Sequence, residues 1–214
     1  MPCKFILLIV TLLAVIGAMH AIDLTAVGVG VRMNPGGYRA LLDRFILADT
    51  TLTTDEMGTL YYGYPFTAGY AADRNHAAID RAYDSGDYSA ALRMADSALV
   101  AEPLSLDLSV TALAAADRIS RDGCLARRIV NLGRRCDLIA TAILESGSGT
   151  TPRSPFLVTD PADIDRILRN VLGIDSIIDR TKVGDVLAIK VTFPGNPRRH
   201  ILYFDASVAQ NTKR

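Results

Sequence analysis

The run Ile79 to Pro103, IDRAYDSGDYSAALRMADSALVAEP, decides how the rest of the chain is read. Ile79 and Tyr83, and again Ala91, Leu92, Ala98 and Leu99, are the packing residues of two short helices. Between them Asp84-Ser85-Gly86-Asp87 is turn chemistry, and Pro103 stops the second helix. The stretch is therefore a hairpin of two short helices. One such hairpin cannot bury its own alanine-lined faces, so it needs neighbours on both sides.

Within it, Gly86, Tyr88, Ala91, Leu92, Ala98, Leu99 and Pro103 fall at the spacings of the second half of a tetratricopeptide repeat, which the hairpin over 74–103 resembles. Ile79 and Tyr83 sit one place off the pattern of the first half, and no second unit follows at the 34-residue period of that repeat. The implied arrangement is one borrowed hairpin in a larger helical layer.

Outward from the hairpin, helical stripes continue in both directions. Leu41, Leu42, Phe45 and Ile46 form one, and Thr53 followed by Glu56 is a capping box that predicts a helix start there, with Gly63 and Pro65 at its end. Downstream, Leu104 to Ile119 reads as a helix broken by Gly123, and Leu125, Ile129, Leu132, Cys136, Ile139 and Ile143 mark a long helix facing one partner along its length. Arg127, Arg128, Arg134 and Arg135 lie on the flanks of that helix, as a solvated face or a receiver of an anionic partner.

Composition changes after Glu145. Residues 147–155 are Ser, Gly, Thr and Pro, a linker, and Gly147-Ser148-Gly149-Thr150 lacks the lysine of a phosphate loop. Beyond it come a strand at Phe156–Thr159, a helix opened by Asp160-Pro161, and two β-rich runs, Val183–Phe193 and Arg198–Ser207, joined by Pro194-Gly195-Asn196-Pro197. The fold class is α+β: an N-terminal layer of antiparallel helical hairpins over 38–146, then a small strand-helix-β-hairpin unit over 156–208 and a tail at 209–214.

At the other end, a basic head and the apolar run Phe5 to Ala18 make residues 1–21 an export signal, too short at that length for the ~20 residues of a membrane span. An uncleaved anchor is the alternative. Ile22 to Gly37, with four glycines and one proline, reads as an extended or loosely packed arm; its Gly28 and Gly30 lack the third glycine of a dinucleotide fingerprint. Export to the periplasm or exterior of a Gram-negative cell implies an oxidising compartment. Even so, Cys124 and Cys136, 12 residues apart on one helix, would be ~18 Å from each other, beyond disulfide reach.

Several functions are disfavoured outright. Lys+Arg and Asp+Glu both number 23, so no basic field attracts nucleic acid. With three histidines and no CxxC or HExxH spacing, neither a metal nor another cofactor is expected.

One feature stands out as a candidate site. Five of the fourteen aromatic residues, Tyr61, Tyr62, Tyr64, Phe66 and Tyr70, crowd into ten positions. They suit a platform for a sugar ring or peptide, or a core plug beneath the helices. The run Leu41 to Tyr70, with Asp49-Thr50-Thr51-Leu52-Thr53 and Leu60-Tyr61-Tyr62-Gly63-Tyr64, together with the strand ending Tyr203-Phe204, resembles a family of secreted proteins of Bacteroidetes-type bacteria, the domain of unknown function four-nine-one-nine. That resemblance implies compartment and fold but no activity. The chain thus reads as a non-catalytic binding or scaffolding module for a protein, peptide or glycan of the cell envelope. The alternatives are a hydrolase using acidic residues with His76 or His200, and a purely structural envelope component.

Overall fold

The computed structural model describes residues 22–70, 75–120 and 123–208. The segment 1–21, read as an export signal, and the tail 209–214 lie outside the described residues. The chain is α+β and separates into a helical unit, Leu24–Ala142, and a second unit from Ile143 onward.

The helical unit holds α1 (Leu24–Met33), α2 (Pro35–Ile46), α3 (Thr54–Gly63) with a 3-10 turn (Tyr64–Phe66), α4 (Ala77–Asp84), α5 (Tyr88–Ala101), α6 (Leu106–Ile119) and most of α7 (Ala126–Glu145). The hairpin at its centre forms as the sequence dictates. Gly86 takes φ +83°, the left-handed value an L side chain resists, and Asp87 caps α5 by accepting the N–H of Ala90. Ala91 and Ala95 of α5 and Ala112, Ala115 and Ala116 of α6 are buried in one cluster with Ile79, Leu92, Leu99, Leu108 and Leu132. Side chains this small let helix axes approach closely, and the leucines fill what remains.

The expected arm is instead helical. Ile22–Gly37 becomes α1 and the start of α2, the latter capped by Asn34, whose side chain accepts the N–H of Gly37 at 2.9 Å. Glycines weaken a helix by about 1 kcal/mol each, which favours an arm. Packing overrides them here: a Cβ on Gly28 would lie 2.7 Å from the Phe66 ring, and one on Gly63 would lie 2.7 Å from Val31. The small residues are where α1 and α3 close on their neighbours.

Between α2 and α3 the Asp49-Thr50-Thr51-Leu52-Thr53 motif is organised by Arg44. Its guanidinium donates to Asp49 at 2.7 Å, to Glu56 at 2.6 Å and to the Thr51 hydroxyl at 3.1 Å. The capping box is complete: Thr53 Oγ1 accepts the N–H of Glu56 at 3.2 Å, and Glu56 accepts the N–H of Thr53 at 2.9 Å.

The second unit carries β1 (Phe156–Leu157), α8 (Ala162–Arg166) continued by a π turn (Ile167–Val171), β2 (Ser176–Val183), β3 (Val186–Phe193) and β4 (Asn196–Asp205). The sheet order is β1-β4-β3-β2, with β1 parallel to β4 and the other pairs antiparallel. Ile189, Val191, Leu202 and Phe204 bury one face. The anticipated hairpin is β3–β4, turned at Pro194-Gly195. β2 adds a strand that its Asp179-Arg180-Thr181-Lys182 run conceals, and these charges suit an edge strand whose outer backbone faces water.

Residues 147–155, anticipated as a linker, are folded into this unit. Gly149 N–H donates to the Ser154 carbonyl at 2.9 Å, Tyr203 N–H to the Gly149 carbonyl at 2.8 Å, and Leu157 N–H to Ser146 Oγ at 2.8 Å. Among the described residues no helix is long and apolar enough to cross a membrane.

Candidate functional site

The aromatic cluster divides in two. Tyr61 and Tyr62 are fully buried, their rings edge-to-face at 5.0 Å, and the Tyr62 hydroxyl donates to the Ala142 carbonyl at 3.1 Å. Side chains that close to zero exposure cannot form a surface, so as members of a binding platform these two are corrected: they are core. The helical period places both on α3, and nothing in that period distinguishes the buried side from the open one.

Tyr64 is also buried, at 9% exposed, but it and the half-buried Phe66 border open space. With α1, α2 and the end of α5 they line an open groove of about 680 Å³. Its floor is Val31, Tyr38, Leu42 and Tyr64, and Val100 stands 84% exposed at its margin. Arg32 and Arg39 complete it, Arg32 lying 5.4 Å above the Phe66 ring and Arg39 pairing with Asp43 at 3.1 Å. Tyr70 packs edge-on against Tyr64 at 5.5 Å and supports the wall from behind.

Two phenols are fixed by backbone. Tyr38 donates to the Leu60 carbonyl at 2.8 Å, and Tyr64 to the Ala101 carbonyl, which ties the 3-10 turn to the end of α5. Burial, and then the nearby Tyr64, push the Tyr38 phenol far above its usual range, so it stays a neutral donor. The groove is thus apolar and edged by Arg32 and by Arg39, the latter paired with Asp43. Arg32, Arg39, Tyr38 and Val100 escape a reading of the sequence because they join Tyr64 and Phe66 only through the packing of α1, α2 and α5, and the glycines of α1 conceal its helix.

The histidines fall elsewhere. His76 occupies the N-cap position of α4 with its ring turned to two carboxylates, Nε2 3.1 Å from Glu102 and Nδ1 3.8 Å from Asp107, all three side chains at most 14% exposed. This buried bridge ties the start of α4 to the α5–α6 connection, and it does not line the groove. His200 packs edge-on to Phe193 at 5.2 Å, and its Nε2 is buried without a hydrogen-bond partner. Among the described residues no group of three or more His, Cys, Asp and Glu side chains could hold a metal.

The arginines of α7 are more than a solvated face. Arg128 pairs with Asp96, Arg134 donates to the Asp49 carbonyl at 3.2 Å, and Arg135 donates to the Pro103 carbonyl at 2.9 Å while lying 5.1 Å above the Phe45 ring. Cys136 sits partly buried on the same helix, whereas Cys124 lies exposed in the turn ahead of it.

No curated protein and no solved structure matches the chain. Residues 33–214 match the family described as domain of unknown function (DUF4919), and the chain belongs to that family.

Proposed function

We propose that the helical unit is a non-catalytic binding module whose groove receives an extended peptide segment bearing an apolar side chain beside an acidic one. The groove carries this reading: an apolar floor that includes Tyr64, walled by Phe66, with Arg32 and Arg39 at its rim. Aromatic walls supply contact area at little entropic cost, and guanidinium groups give orientation and selectivity for carboxylates. The tetratricopeptide-like spacing of the α4–α5 hairpin is consistent with it, since such units mostly hold extended peptides. Export to the cell envelope, where the partner would be another envelope protein, belongs to the same proposal and rests on the character of residues 1–21.

A hydrolase reading draws on one observation, the placement of His76 between Glu102 and Asp107. A catalytic acid–base pair must reach substrate, and this trio lies away from the groove. The binding reading therefore stands first.

Selection from a random peptide library displayed on phage, with winners titrated by fluorescence anisotropy, tests it. Winners should pair an aliphatic or aromatic residue with Asp or Glu. Val100→Arg, on an 84% exposed side chain, should weaken them at least tenfold without moving the melting temperature. A library that yields no enriched sequence, or winners indifferent to Val100→Arg and Arg32→Ala, would sink the proposal.

A further inference from the structure

A second cavity of the helical unit lies along α7. Arg128, Asn131 and Arg135 fall at steps of three and four on one face of the helix, and with Arg127 and Cys124 they line a shallow cavity of about 320 Å³. Three guanidinium groups meet there. Among the described residues one carboxylate, that of Asp96, answers them, through Arg128.

The donors outnumber their acceptors as well. Arg135 has one nitrogen on the Pro103 carbonyl and its plane on Phe45, yet its Nε is buried without a partner, and so is the Nε of Arg128. Buried unpartnered donors on two like charges are destabilising, and natural proteins keep such arrangements where something completes them. Burial already pushes the Arg135 pKa down, and the neighbouring Arg128 works in the same direction. A bound anion would relieve both effects.

We propose that this cavity binds a small tetrahedral oxyanion of the phosphate or sulfate type, held between Arg127, Arg128 and Arg135 with the Asn131 amide as a further donor. Guanidinium forks match such oxygens in pairs, and no cofactor or covalent step is involved. The site is separate from the peptide groove and does not depend on it.

Thermal melts of the full mature chain in sodium phosphate, sodium sulfate, sodium acetate and sodium chloride at matched ionic strength provide the first readout. Phosphate and sulfate at ten times their dissociation constant should raise Tm by about 3 °C over chloride, with acetate close to chloride. The exposed Cys124 supplies a second readout that does not require folding differences. Phosphate should slow its alkylation by iodoacetamide at least threefold, followed by peptide mass mapping. Arg127→Gln, on an exposed side chain, and Arg128→Gln should each abolish both effects, while Phe66→Ala in the groove should leave them intact. Phenyl phosphate acting at lower concentration than inorganic phosphate would mark the natural ligand as a phosphate ester, and equal potency would mark it as the free ion. Acetate matching phosphate, or no anion differing from chloride in either readout, would overturn the site.

Discussion

The two units bury their interiors with different materials. In the helical unit the fully buried set includes Tyr61 and Tyr62, and the hydroxyls of Tyr38, Tyr62 and Tyr64 each end on a backbone carbonyl. In the sheet unit the sheet's buried face is Ile189, Val191, Leu202 and Phe204, and the buried polar side chains, Thr159 and Asp163, lie off the strands. Aliphatic side chains on an alternating strand need only suit in volume. A buried phenol must suit in volume and also aim its O–H, because an unmet polar group costs about 1–3 kcal/mol. The tyrosine-bearing packing of the helical unit is therefore more specific and less forgiving than the aliphatic face of the sheet.

Deleting a core side chain from each unit tests that difference directly. Tyr62→Ala should cost about 3–5 kcal/mol, and Leu202→Ala about 2–4 kcal/mol. Tyr62→Phe isolates the hydroxyl and should cost about 1 kcal/mol. Urea melts followed by tyrosine fluorescence report the first two-thirds of the chain, since every tyrosine but Tyr203 lies in the helical unit. Far-UV circular dichroism supplies the second probe. A Tyr62→Phe variant as stable as the parent would show that the aim of the hydroxyl is irrelevant and that the two cores differ only in volume.

Two left-handed glycines, one in each unit, sharpen the contrast further. Gly86 has φ +83° and open space around its absent side chain, so Gly86→Ala should cost only the conformational penalty, about 1–2 kcal/mol. Gly149 has φ +63°, and a Cβ there would lie 2.0 Å from the Phe156 ring, which is itself buried. Overpacking adds about 1–3 kcal/mol to the same penalty. Equal losses in the two variants would mean that the Ser146–Ser154 loop gives way and is not the packed element its hydrogen bonds describe.

What could be foreseen follows the same division between local and tertiary causes. The α4–α5 hairpin, the Thr53 capping box and the β3–β4 turn are local chemistry, written in Gly86, in Thr53 with Glu56 and in Pro194-Gly195. They are legible without a structure. Helix α1 is tertiary, because Gly28 makes sense only once the Phe66 ring rests on it. Strand β2 is tertiary too: its charged side chains say nothing of the backbone ladder that recruits it. Half of the groove inherits this limit. Tyr64 and Phe66 are conspicuous in the sequence, whereas Arg32, Arg39 and Val100 acquire meaning from α1 and α2 folding beside them.

Helix starts give a smaller comparison. Thr53 is half of a reciprocal box, so Thr53→Ala removes the bond its hydroxyl accepts from the Glu56 N–H and the one it donates to the Glu56 carboxylate, for about 1 kcal/mol. At the start of α8, Asp160 accepts the N–H of Ala162 at 2.9 Å from one place ahead of the N-cap residue Pro161, and Asp160→Ala should fall at the lower end, about 0.5 kcal/mol. Chemical denaturation of the two variants side by side decides it; the reverse ranking would put the stronger cap in the sheet unit.

The smallest effect concerns the charges around Arg44. Its hydrogen bond, followed by the N–H and hydroxyl of Thr51, holds the Asp49 carboxyl down from 3.8 to about 2, and the N–H of Thr53, then Arg44, lowers Glu56 as well. A carboxyl whose pKa is lower folded than unfolded contributes stability that is complete above its unfolded value and is lost as pH falls through the folded one. The window therefore runs from about pH 4 down to about pH 2. Because these groups face solvent and salt screens them, the gain is small and shrinks as ionic strength rises. Arg44→Gln should flatten the fall of Tm across that window and leave the profile above pH 5 parallel to the parent. Arg180→Gln, which breaks the exposed pair with Asp165 in the sheet unit, should change Tm less, since Arg44 serves two carboxylates that are also held by backbone N–H groups. Parallel curves for Arg44→Gln and the parent from pH 5 to pH 2 would show that the Thr51 and Thr53 donors alone keep those carboxylates ionised.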